Sequence, residues 1–217
     1  MRVASWVDWV EDRFGSWAIP HVTRYLVGLN LATYLLEGLS PGFVQILQLD
    51  QAAILRGEIW RIATFILVPA VNTGPLFFLI FLWFTWFVGD YLEGEWGPAK
   101  LNIFYLTGIL SLTLVSLFFV PGPIRNDLLL SSLILPFGTV FPTMQIMLFF
   151  IIPVQARWLA IIYGGFLILA FLLGADSRLV ILGSVANYLL FFGPSYWTHL
   201  REQAALRERR RRFSGQD

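Results

Sequence analysis

Cysteine is absent from this chain, lysine occurs once and histidine twice, and Asp, Glu, Lys and Arg together make up only 13% of its 217 residues. The first absence excludes a disulfide framework, a thiolate metal site and a cysteine nucleophile. The scarcity of charge excludes a water-soluble globule, because a hydrophobic fraction of 57% and a mean hydropathy of +0.70 leave too little polar surface to coat one. There is also no Gly-rich phosphate loop, no HExxH string and no cluster of His and Asp with metal-ligand spacing, so neither a cofactor nor a metal is expected. What remains is an integral, all-α, polytopic membrane protein. The segment before residue 20 carries Asp8, Glu11, Asp12 and Arg13 where a secretory signal needs an uninterrupted apolar core, so no cleavable signal is expected.

A helix needs roughly 20 apolar residues to cross the hydrocarbon layer, so charged and Pro/Gly-rich islands mark the boundaries. Six spans are expected, at about 22–38, 70–90, 100–120, 128–143, 157–174 and 178–194, with residues 143–154 forming an extended, partly immersed connection. The stretch 128–174 exceeds one crossing, and Pro136, Gly138, Pro142 and Pro153 divide it. Six arginines between Arg201 and Arg212 follow the last span and place the C-terminus in the cytoplasm; an even number of crossings brings the N-terminus there too. Glu202 and Glu208 dilute that charge, which favours a topology signal over a nucleic-acid site. The chain then divides into a cytoplasmic segment 1–20, a membrane domain 21–197 and a basic cytoplasmic tail 198–217.

Residues 39–69 alternate Gln48, Asp50, Gln51, Arg56, Glu58 and Arg61 with apolar neighbours and suit an interfacial first loop, with Trp60 at headgroup depth and the Arg61 guanidinium reaching water or phosphate. The ionisable residues Asp90, Glu93, Asp127, Asp176 and Arg178 fall at span ends, and Lys100 is explained by snorkelling. The span interiors offer neutral hydrogen bonders such as Thr85, Thr107, Ser111, Thr113, Ser116 and Asn187.

Val22-Thr23-Arg24-Tyr25-Leu26 with Leu29-Asn30 opens the first span. Gly57, Trp60, Arg61 and Thr64 form a Gly-x-x-Trp-Arg-x-x-Thr pattern, and Gly89, Glu93 and Gly97 form Gly-x-x-x-Glu-x-x-x-Gly. These three strings, in this order, are similar to signatures of the rhomboid superfamily. The stretch from Thr143 through Pro153 to Trp158 resembles the Derlin-type, non-proteolytic branch. The resemblance covers roughly residues 20–197 and implies a rhomboid-like bundle of six transmembrane helices with both termini cytoplasmic.

The same resemblance defines catalytic positions, and this chain fills them differently. Proteases of the superfamily use a serine flanked by glycines on the fourth span, where this chain has Ser131 and Ser132 without them. Their second-span oxyanion pair falls on Phe77 and Phe81, and their sixth-span histidine on Asn187. An amide cannot take a proton from a serine hydroxyl at neutral pH, and His21 and His199 flank the spans instead of lying within them. The expectation is a pseudoprotease without a Ser-His dyad that handles transmembrane client proteins among membrane lipids; the alternatives are a divergent intramembrane serine protease and a small-solute transporter. Arg61 and Glu93 are expected to be structural, the first tying the loop to the bundle through backbone carbonyls and the second capping the turn to the third helix. Two roles stay open for Asn187, a bond to a client helix or to a neighbouring span. Ser131, Ser132 and Ser184 are expected to pack between helices or bond back to the backbone.

Overall fold

The computed structural model describes residues 4–68, 74–120, 122–124, 126–148, 152–174, 178–194 and 197. The basic tail and His199 lie outside the described residues, as do 70–73 of the second expected span and Asp176.

In chain order, α1 (Ser5–Phe14) leads through a 3₁₀ turn into α2 (Val22–Leu39), and the short helices α3 (Phe43–Leu47), α4 (Gln51–Leu55) and α5 (Arg61–Thr64) form the first loop. Next come α6 (Pro75–Trp96), α7 (Pro98–Phe118), α8 (Asp127–Ser131) and α9 (Ile134–Val140). An antiparallel hairpin of β1 (Gln145–Leu148) and β2 (Ile152–Gln155) precedes α10 (Ala156–Leu173), and α11 (Arg178–Pro194) follows.

Of these, α6, α7 and α10 are long and apolar enough to cross a membrane. That is three of the six expected spans. The other three differ for identifiable reasons. Helix α2 has the length but carries Arg24, Asn30, Thr33 and Glu37, while the apolar stretches 127–140 and 178–194 are short. The expected fourth span, 128–143, is also broken. Pro136 has no N–H to give the Ser132 carbonyl, so Leu135 N bonds it instead in a tight turn at 3.2 Å, and the helix restarts as α9.

Helix α6 runs past Asp90, where the span was expected to end, because its charges have partners. Asp90 takes two bonds from Arg24 of α2, at 3.0 and 2.8 Å, and Glu93 is buried. Gly97 ends it at φ +81° and ψ 163°, a conformation open essentially to glycine alone, and Pro98 starts α7 at once. Thr23 of α2 meets both strokes of this turn: it crowds the α-carbon of Gly89, and its hydroxyl lies 3.0 Å from that of Tyr105. An aromatic cluster of Trp96, Phe104, Phe191 and Phe192 joins α6, α7 and α11.

The extended connection expected at 143–154 is the β1–β2 hairpin, with Ile146 opposite Val154 and Met147 opposite Pro153. Proline is tolerated there because a two-stranded ribbon has only edges. The turn before it caps α10, since Met144 O and Pro142 O accept from Ala156 N and Arg157 N at 2.8 and 3.3 Å.

Two further ties hold the first loop. Leu49 and Ile124 exchange backbone bonds at 3.2 and 2.8 Å, and Gln51 Nε2 donates to Leu117 O at the end of α7 at 2.7 Å. Behind them sits a buried amide pair. Asn126 Nδ2 donates to Asn30 Oδ1 at 2.8 Å and to Ile66 O, while Asn30 Nδ2 donates to Leu26 O at 2.9 Å and Ile66 O at 3.1 Å. Replacing Asn126 by leucine should cost about 1–3 kcal/mol, the range for leaving a buried polar group unpaired. Asn126→Asp should cost more, because it points an acceptor at two acceptors. Unfolding midpoints of the two variants in one detergent check the order.

Candidate functional site

The residues picked from the sequence fall into three places. At the first loop, Gly57 takes φ +104°, a left-handed turn suited to glycine, and Thr64 Oγ1 donates to Leu47 O at 3.2 Å. Trp60 is half-exposed. Arg61 is not the water-seeking anchor of the interfacial expectation: it is 8% exposed and points inward. Its Nη1 donates to Gln45 O at 2.6 Å and Gln48 O at 3.0 Å, and its Nε to Glu58 Oε2 at 2.7 Å. The guanidinium fork thus joins α3, the strand-like residues after it and α5.

The second place is the start of α2. Glu93 was expected to cap the turn into the third helix; instead its Oε1 accepts from His21 N at 2.6 Å, at the head of α2. His21 holds a left-handed conformation there, φ 55°, with its Nδ1 3.6 Å from the same carboxylate. Gly89 lies one helical turn earlier on α6, where a Cβ would fall 2.4 Å from Thr23, so this glycine permits the close approach of α2.

The third place is the bundle interior. Asn187 is completely buried and turns both ends of its amide to α7: Nδ2 donates to Phe104 O at 3.0 Å, and Oδ1 accepts from Thr107 Oγ1 at 2.6 Å. Of the two roles left open by the sequence, the one built here is the bond to a neighbouring span. Gly108 makes room for it, since a Cβ at that position would lie 2.9 Å from Asn187 Nδ2 and 2.2 Å from Leu129 of α8. Ser132 is buried and donates back to Leu129 O at 2.6 Å, and Ser184 donates across to Leu128 O at 3.1 Å. Ser131, the last residue of α8, is half-buried. Phe77 is 63% exposed on the first turn of α6, and Phe81 is half-buried a turn later, its carbonyl accepting from Thr85.

What the sequence did not expose is the surface beside these residues. Helix α10 packs on α9 and β2, and only 11% of it is buried, against 33% of α6 and 39% of α7. A cleft of about 380 Å³ opens on each of its flanks. The first runs between α6 and α10 over α9 and β1, lined by Trp83, Phe84, Ile134, Met147, Ile162 and Tyr163, and Ser131 sits beside the Tyr163 hydroxyl. The second lies between α10 and α11, where Leu135, Gly164, Phe171, Ile181 and Tyr188 form the walls. Both are almost wholly apolar. Gly138 fixes the α9–α10 contact between them: a Cβ there would fall 2.3 Å from Ala160 Cβ and 2.8 Å from Ala156 O.

No family model matches the chain, and no curated protein matches it either.

Among the described residues, the hydroxyls of Ser132 and Ser184 are spent on backbone carbonyls and the Asn187 amide on α7, while Ser131 lies beside the hydroxyl of Tyr163, a cleft-lining residue. Two neutral hydroxyls, Thr113 Oγ1 and Ser116 Oγ, are buried on α7 without a hydrogen-bond partner among the described residues.

Proposed function

We propose that this protein is a rhomboid-like, six-span membrane protein with both termini cytoplasmic, which binds transmembrane client segments without cutting them. The observation that carries the reading is the thinly supported α10 with an apolar cleft on the α6 side. A helix held on one face is the element that can shift to admit another helix, and a cleft of about 380 Å³ takes several large side chains of an incoming segment. In this reading α2, α6, α7, the α8–α9 pair, α10 and α11 are the six crossings, with α8–α9 and α11 short enough to thin the bilayer around them. A client helix with polar residues is less costly to hold in such a zone than in full hydrocarbon.

Reconstituted protein labelled on α10 should give energy transfer to a single-span peptide carrying two central serines, and less to an otherwise identical all-leucine peptide. Equal transfer to both, or none, would remove the client reading. The proteolytic alternative is tested separately, because Ser131 lies beside Tyr163, whose side chain lines the cleft. A fluorophosphonate probe is expected to leave the protein unlabelled, whereas labelling that disappears in Ser131→Ala would establish a nucleophile there.

A further inference from the structure

The first helix of the chain has two unlike sides, and only one face is covered by protein. Val7 is fully buried against the bundle. Around it, successive turns of α1 meet the ends of different helices: Ala4 N donates to Phe191 O at 3.0 Å, Trp6 Nε1 to Leu190 O at 3.1 Å, and Asp8 and Glu11 meet Lys100 Nζ at 2.8 and 3.2 Å. Just beyond, Ile19 exchanges two bonds with Asn102, at 3.3 and 2.8 Å. Phe191 and Leu190 belong to the last turn of α11, and Lys100 and Asn102 to the opening turns of α7. Helix α1 therefore runs across the end of the bundle, from the last turn of α11 to the first turn of α7.

At about 100° per residue, Trp6, Trp9, Val10, Arg13 and Phe14 fall on one side of α1, and Asp8 and Asp12 fall on the other. Trp9 is 62% and Phe14 55% exposed, and Trp17, just past the helix, is 85% exposed. Three large aromatic side chains left uncovered beside the end of a membrane-crossing helix have one fitting neighbour, the headgroup layer, which favours tryptophan above other residues.

We infer that α1 is an interfacial helix, stapled to α7 and α11 by its inner face and seated in the lipid headgroup layer by its Trp9–Phe14 side, with Asp12 turned to water. The partner is the headgroup layer of a zwitterionic bilayer. Arg13 is the one cation of α1, and Asp8 and Glu11 are already paired with Lys100, so anionic lipid adds little to the attachment.

Because the chain lacks cysteine, a single introduced thiol reports one position. Trp9→Cys, Phe14→Cys and Asp12→Cys, each carrying an environment-sensitive fluorophore, would be reconstituted as full-length protein in phosphatidylcholine vesicles. The labels at 9 and 14 should emit to the blue of the label at 12, lose quenching by aqueous iodide and gain quenching by lipids brominated near the headgroup, with no change when phosphatidylglycerol is added. Equal iodide access at all three positions, equal shielding at all three, or dependence on the anionic lipid would each overturn the inference. Hydroxyl-radical footprinting of the unsubstituted protein in the same vesicles gives a second reading that needs no variant. Strong oxidation of Trp9 and Trp17 would sink the proposal, and protection of both supports it.

Discussion

Replacing Gly138 by leucine should detach α10 from the rest of the bundle. Even a bare Cβ at this position meets Ala160 Cβ at 2.3 Å and the backbone oxygen of Ala156 at 2.8 Å, and neither is the movable end of a long side chain. The strain must be relieved by moving α10 itself, the least buried of the three long apolar helices. Overpacking of this kind costs about 1–3 kcal/mol for small increments, and leucine should exceed the upper end. Gly138→Ala is the milder step on the same path. Cysteine pairs on α9 and α10, introduced into the cysteine-free chain and spin-labelled, would show the interhelical distance rising from wild type through alanine to leucine. An unchanged distance distribution in Gly138→Leu would mean that the α9–α10 contact is not the hinge of the cleft. The same variants bear on the client binding proposed above, because a displaced α10 widens the cleft lined by Trp83, Ile162 and Tyr163.

The second large effect is expected at Arg61. Its removal as alanine leaves Gln45 O and Gln48 O without their donor and Glu58 without its buried partner. An orphaned buried acceptor costs about 1–3 kcal/mol, so two carbonyls and a weakened carboxylate together place the loss at roughly 3–5 kcal/mol. The damage should be local. Hydrogen exchange across residues 43–68 should accelerate while α7 keeps its protection, and Arg61→Lys should recover only part of the loss, because a single ammonium cannot reproduce the fork. Uniform acceleration over the whole chain would show instead that the loop and the bundle open as one unit.

Apolar run length and punctuation made much of this architecture readable. The expected spans 22–38, 100–120, 157–174 and 178–194 fall within about two residues of α2, α7, α10 and α11, because Gly97-Pro98, Gln155 and Gly174 mark real helix ends. The same rules failed where a side chain answers to a partner far away in the chain. Asp90 and Glu93 read as the water-facing end of a span, yet Arg24 and the His21 amide hold them inside the helical run. Lys100 reads as a snorkelling cation until Asp8 and Glu11 are seen against it. Asn126 carries no local signal at all, since its value lies in Asn30 and Ile66, which only the fold brings near. The interruption of the expected fourth span is announced by Pro136, but its place at Ser132 is not, because hydropathy registers depth and is blind to a single missing hydrogen bond. At the candidate site, Ser131, Ser132 and Asn187 are singled out by the resemblance to rhomboid-superfamily catalytic positions, and the clefts of α10 are not. An empty volume is a property of packing between elements, and no residue pattern encodes it directly.

The latch between Trp6 and Leu190 joins residues separated by 184 positions. A ribosome delivers Trp6 long before Leu190, so α1 must wait with contacts such as its Lys100 ion pairs until α11 has been threaded into place. Closure of that contact is then a signal that every intervening segment has been inserted, and a nascent chain stalled before residue 190 should leave its amino-terminal tryptophans open to any factor that inspects unfinished membrane proteins.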